Sequence, residues 1–226
     1  MTGGAAAEAV QVVDSPGAAS IGHPVLLIRH AATSWTGRRW CGRADPALSA
    51  DGRRAARRLV NDVAAELGRP RKAFERVGDV ALLVSPSRRA RHTAAFLEAA
   101  LRVAAIVEED LVEVDVGVAE GLDWTALERG FPTIAAEIEL GIQPDWPDGE
   151  SRIDVGRRAE RIADRIRAVA AAQTVIVVSH GAILHAIAPL LVEVPRPPAA
   201  LGPAAILRLD PTPRTGPVVG PTVEAP

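Results

Sequence analysis

The feature that most narrows what this chain can become is a unit that occurs three times. A short unbroken apolar run ends abruptly at a polar cluster, and a helix-like pattern follows. Val25-Leu26-Leu27-Ile28 ends at Arg29-His30, and Val80-Ala81-Leu82-Leu83-Val84 ends at Ser85-Pro86-Ser87-Arg88-Arg89. The most β-branched run, Thr174-Val175-Ile176-Val177-Val178, ends at Ser179-His180-Gly181. Runs without polar alternation suit strands covered on both faces, as in a parallel sheet. Ala204–Leu209 would add an edge strand and Ala104–Val107 a short one.

The intervening segments read as helices. After Ser49, an N-cap residue, Ala55, Ala56, Leu59, Val60, Val63 and Leu67 recur at helical spacing. Ala90, Ala94, Leu97 and Leu101 form a second stripe; Ile153, Ala159, Ile162, Ala163, Ile166 and Val169 form a third. Gly181–Val192 is apolar all round, the pattern of a buried helix. Residues 115–150, with Pro132, Pro144 and Pro147, read as loops and short helices. Strands alternating with helices predict an α/β fold: a three-layer α/β/α domain with a mostly parallel central sheet. That domain is expected over residues 23–210. Residues 1–22, small and without periodicity, read as a disordered leader, and residues 211–226, with five prolines, as a disordered tail.

Composition excludes several functions. A formal net charge of −2 gives no electrostatic reason for nucleic acid or an anionic membrane as partner. Cys41 is the one cysteine, so neither an internal disulfide nor a cysteine metal cluster can form. No apolar run approaches the ~20 residues that span a bilayer, and no basic segment precedes an apolar stretch at the N-terminus. The expectation is a soluble, cytoplasmic protein; the sequence leaves a homodimer open.

Of 26 basic residues only Lys72 is a lysine, so an isolated arginine here reads first as solvated or ion-paired. The five histidines carry more weight. His23, His92 and His185 read as surface or packing groups, with His185 within reach of a substrate. His30 and His180 each follow a strand.

Sites in open α/β sheets form at the carboxyl ends of strands. If the three strands are parallel neighbours, two histidines and at least two arginines meet near helix N-termini, which favour an anion. That set suits a phosphoryl group. Guanidinium forks match its oxygens, one imidazole can attack phosphorus, and the other can stabilise the developing charge. A carboxylic acid in a loop over the site would protonate the leaving oxygen.

These residues resemble the histidine phosphatase superfamily, which includes the phosphoglycerate mutases. Leu27-Ile28-Arg29-His30-Ala31-Ala32-Thr33 is similar to its Arg-His-Gly-Glu-Thr signature, with Ala31 and Ala32 in place of Gly and Glu. Gly42-Arg43-Ala44-Asp45-Pro46-Ala47-Leu48-Ser49, Ser85-Pro86-Ser87-Arg88-Arg89-Ala90, Leu111-Val112-Glu113, Glu120-Gly121, Gly149-Glu150-Ser151 and Ser179-His180-Gly181 follow in the family's order. The resemblance implies that His30 is the phosphorylated nucleophile. Arg29, Arg89 and His180 would line the phosphate pocket, Glu113 would donate the proton, and Thr33 and Arg43 would assist at its edge. It implies no cofactor and no metal, and a small phosphorylated metabolite as the partner.

The family's mutases carry a longer, more basic stretch after the acid than Val114–Gly121 here, which favours water over a second substrate as acceptor. A binding module without catalysis should have lost His30 or Glu113, and both are present. Substrate choice is expected to lie in residues 115–150 and around Arg38–Trp40. Trp35, Trp40, Trp124 and Trp146 serve packing or, for the two near the pocket, an apolar part of the substrate.

Overall fold

A strand buried on both sides needs a helix layer against each face. The computed structural model describes residues 21–68, 79–192 and 201–211 and contains both layers. The strands β1 (Val25–Arg29), β2 (Val80–Val84), β3 (Ala105–Val107), β4 (Thr174–Ser179) and β5 (Ile206–Leu209) form one sheet in the order β3-β2-β4-β1-β5. The first four run parallel, and β5 closes one edge antiparallel to β1. Alternate residues of each strand face opposite layers. Val25, Leu27, Val175 and Val177 pack with α5 (Arg152–Ala170) and α6 (Gly181–Leu191). Leu26, Ile28, Ile176 and Val178 pack with α1 (Ala50–Glu66) and α2 (Arg88–Leu101). The expected three layers are present. Each such aliphatic side chain, removed wholly from water, contributes about 1.5–3 kcal/mol against the entropy of ordering the chain.

Residues 113–155 form a smaller lobe. It holds α3 (Trp124–Gly130) and α4 (Pro132–Glu139) and is gathered around Val114, Leu127, Ile134, Trp146 and Val155. Trp40 joins this cluster from the β1–α1 loop, with its ring centroid 5.6 Å from that of Trp146 and 6.2 Å from that of Trp124. Ser49 caps α1 as expected, its hydroxyl accepting from Gly52 N at 3.0 Å.

Three expectations are corrected. Ile21, assigned to the leader, is buried against α5 in the main core, so the ordered unit starts before residue 23. Ile153 is 64% exposed and Val155 takes the buried place at the start of α5. α6 is one-sided, not buried all round: Ile183, Leu184, Ile187, Ala188 and Leu191 face the sheet, while His185, Pro189 and Leu190 face outward. Most of the proposed leader (1–20) and tail (212–226) lies outside the described residues. Among the described residues no helix is long and apolar enough to cross a membrane.

Candidate active site

The sheet order puts β4 between β1 and β2, so the three polar clusters emerge side by side at the carboxyl ends of the parallel strands. Register aligns Arg29 with Ser179 and Val84 with Val178. His30 therefore leaves β1 beside His180 leaving β4, and their ring centroids lie 5.0 Å apart. His30 N donates to Ser179 O at 2.8 Å, which locks the two strand ends together.

His30 is buried, and its side-chain orientation is fixed from both nitrogens. Nδ1 lies 2.8 Å from Ala31 O, a carbonyl that can only accept, so Nδ1 carries the proton. Nε2 then has a free lone pair, to which Arg89 Nε donates at 3.3 Å. Burial, together with the nearby positive charges of Arg89 and Arg29, pulls the His30 pKa from its ordinary value to about 3, against the opposing hydrogen bond to Ala31. The ring is thus neutral across the physiological range. His180 is fully buried and is held well below its ordinary pKa by burial, then by Arg89 and His30. Its Nε2 meets Ser85 Oγ at 2.7 Å, and its Nδ1 is buried without a partner.

Arg89 lies in the first turn of α2 and is 1% exposed. Its guanidinium donates to Ala44 O (2.6 Å) and Gly42 O (2.9 Å) and meets Asp45 Oδ1 at 3.3 Å. Asp45 also accepts from Arg88 N (2.5 Å) and Arg89 N (3.2 Å), capping the start of α2. Arg29 donates to Leu201 O at 2.7 Å, lies against Gly181, and has a buried Nε without a partner. Burial lowers its pKa, and the charge of Glu113 opposes that shift.

Glu113 is 9% exposed. Its carboxylate accepts from Val114 N (2.9 Å), Ile183 N (3.2 Å) and Ala182 N (3.3 Å), the last two in the first turn of α6. The acid and His180 therefore share one helix N-terminus.

The two edge residues fall differently. Thr33 is buried but engaged in its own turn, its Oγ1 accepting from Trp35 N at 3.2 Å and lying 3.2 Å from Thr36 Oγ1. Arg43 faces outward, 3.5 Å from both Asp115 Oδ2 and Glu150 Oε2. Ala31, fully buried, packs its methyl with Leu48 and Ala56 and donates its N–H to Thr93 Oγ1 at 3.1 Å. His23, His92 and His185 are exposed. Cys41 is half-buried near Arg89 and Glu120, and burial pushes its thiol up to about 11. Among the described residues no group of three or more His, Cys, Asp or Glu side chains is placed to hold a metal ion.

Sequence reasoning overlooked the groups that hold this set. Glu120 accepts from Gly42 N, Arg43 N and Ala44 N, fixing the loop whose carbonyls grip Arg89. Asp45 and Glu120 sat inside quoted motifs without a role. Arg158 had a signal that the arginine-rich composition masked. It occupies a place on the apolar face of α5, between Val155 and Ile162, where a charge must find partners.

Helix N-termini, paired guanidinium groups and a neutral imidazole thus stand together at the ends of the parallel strands of an α/β protein, a set whose chemistry suits an anion. The sequence profile of the histidine phosphatase superfamily (branch 1) matches residues 25–220, and the chain belongs to this family. The bifunctional protein Rv2228c of Mycobacterium tuberculosis is 36% identical over 157 residues, covering 69% of this chain and 40% of that protein. The chain thus spans about two-fifths of the length of the first curated relatives it matches. Phosphoserine phosphatase 1 of Hydrogenobacter thermophilus is 29% identical over 158 residues, 69% of this chain and 70% of that protein. The solved structure of mycobacterial glucosyl-3-phosphoglycerate phosphatase Rv2419c shares the fold, with a TM-score of 0.66 over 82% of this chain and 89% of that one at 23% identity.

Proposed function

We propose that the protein is a metal-independent phosphatase that hydrolyses a small phosphomonoester through a phosphohistidine on His30. The observation that carries the reading is the 2.8 Å contact of His30 Nδ1 with Ala31 O. With its Nδ1 proton committed to Ala31 O, a neutral Nε2 lone pair stands among Arg29, Arg89 and His180. Arg29 Nε and His180 Nδ1 are buried without partners beside it. Ser85 Oγ lies 2.7 Å from His180 Nε2; with the hydroxyl as donor in that contact the ring proton would sit on Nδ1, a second donor for phosphoryl oxygens. The phosphatase name of the Hydrogenobacter thermophilus relative agrees with this reading.

In the first step the His30 Nε2 lone pair bonds to phosphorus as the bond to the leaving oxygen breaks. That oxygen takes the electron pair and the proton of Glu113. In the second step water bonds to phosphorus and gives a proton to the Glu113 carboxylate. The P–N electron pair returns to Nε2 and inorganic phosphate leaves. Arg29 and Arg89 supply the positive charge that a metal would otherwise bring to the equatorial oxygens. Water is the acceptor because the stretch Val114–Gly121 contributes no cation to hold a second anionic substrate.

The test is a panel of phosphomonoesters assayed in excess chelator, with His30→Ala as control and an alkaline quench to trap phosphohistidine. Activity should survive chelation, vanish in the variant and give a trapped phosphohistidine. Activity lost on chelation, or retained in His30→Ala, would overturn the reading.

A further inference from the structure

Resting on that assignment of Glu113, we infer that Arg158, with Glu150 and Ser179, is the positioning device that sets the proton donor against the nucleophile. Three consecutive backbone carbonyls immediately precede Glu113, and side chains from elsewhere in the chain hold all three. Arg158 Nη1 donates to Asp110 O (2.8 Å) and Val112 O (2.7 Å). Ser179 Oγ donates to Leu111 O at 2.6 Å. Loop carbonyls ordinarily face water; here a loop is bolted to α5 and β4 one residue before its functional side chain.

The bolt is itself rigid. Arg158 is 6% exposed. Its Nε and Nη2 form a two-point pair with Glu150, at 2.8 Å to Oε1 and 2.7 Å to Oε2. Glu150 Oε2 also accepts from Asp115 N at 2.8 Å, so the segment is gripped two residues after Glu113 as well. The guanidinium makes four hydrogen bonds here, two to carbonyls and two to the carboxylate, one more than an ammonium with three donors can give.

Ser179 ties this frame to the nucleophile. Its hydroxyl holds the acid loop while its carbonyl accepts from His30 N at 2.8 Å. One residue thereby references both reacting groups to the same strand end. None of the three needs to touch the substrate, so each acts through Glu113. A group that only positions a general acid matters in proportion to how badly the leaving group needs a proton.

The experiment compares kcat/KM, which reports the step that breaks the ester bond, for two esters. Phenyl phosphate releases a basic phenoxide that needs protonation; 2,4-dinitrophenyl phosphate releases a stable anion that does not. Arg158→Lys should lose about 10²-fold on the first and less than about threefold on the second. Glu113→Gln should show the same selectivity, more strongly. Ser179→Ala and Glu150→Gln, milder changes, should show it in weaker form and serve if Arg158→Lys fails to fold. Equal losses on both esters in these variants, or no loss on either, would overturn the inference while leaving the phosphatase reading intact. Absence of selectivity in Glu113→Gln would remove the acid assignment, and the inference with it. Absence of wild-type activity on both esters would instead count against the phosphatase reading.

Discussion

Lowering the pH should destabilise this protein through His30 in a way that can be isolated. The unfolded chain titrates this histidine near 6.5, whereas the folded site holds it to about 3. Below 6.5 the unfolded state therefore binds more protons than the folded state, and stability falls as pH falls. The contribution is intact above 6.5, declines through the window below it, and is fully lost near pH 3. Linkage gives a loss of about 0.2 kcal/mol at pH 7 and about 2 kcal/mol at pH 5, a difference of roughly 2 kcal/mol from this one side chain. His180, depressed by burial in the same direction, adds to the wild-type slope. The assay is urea unfolding of wild type and His30→Ala at both pH values. The absolute stabilities will differ because the variant leaves a hole, but the quantity of interest is the change with pH. Wild type should lose about 2 kcal/mol more than the variant between pH 7 and pH 5. Parallel losses in the two proteins, within about 0.5 kcal/mol, would refute the argument that burial between two guanidinium groups keeps His30 neutral.

The same depression should appear in catalysis: allowing for the substrate's own ionisation near pH 6, the acid limb of kcat/KM should lie well below 6.5, and a limb at the ordinary histidine value would contradict the geometry. Gly52→Ala should be costly although alanine favours helices, because the new Cβ would stand 1.9 Å from Ala32 O in the segment following His30. The helix start must move, at a cost of about 2 kcal/mol or more, read as a fall in Tm of about 4–8 °C.

The core layers were readable because their cause is local. An apolar run with no alternation can be satisfied only by cover on both faces, and three such runs with helices between them leave few arrangements. Ile153 shows where periodicity fails: at the first turn of α5 the stripe had not yet met the sheet, and Val155 is buried instead. α6 read as buried all round because its composition is apolar, yet it covers one side of one sheet and shows Leu190 and His185 to the outside. Hydropathy records what a helix can bury, not how many neighbours reach it.

The sequence by itself determined the chemical inventory: a histidine after each of two strands, an arginine beside the first and one at the start of α2, and an acid in a loop. It did so because strand ends are marked by where the apolar run stops. Only the tertiary structure decided which protonation state and which orientation these groups hold. The His30 proton sits on Nδ1 because Ala31 O is there, its pKa is low because the fold buries it and brings Arg89 in from α2 beside its neighbour Arg29, and Arg43 turns out toward Asp115 and Glu150. Arg158 lies 45 residues beyond Glu113 and reaches its loop through the packing of α5, a contact no local pattern encodes. Electrostatic fields and hydrogen-bond partners are sums over space, whereas motifs are sums along the chain. Here the two meet at the end of β4, where Ser179 holds His30 with its backbone and the loop before Glu113 with its side chain.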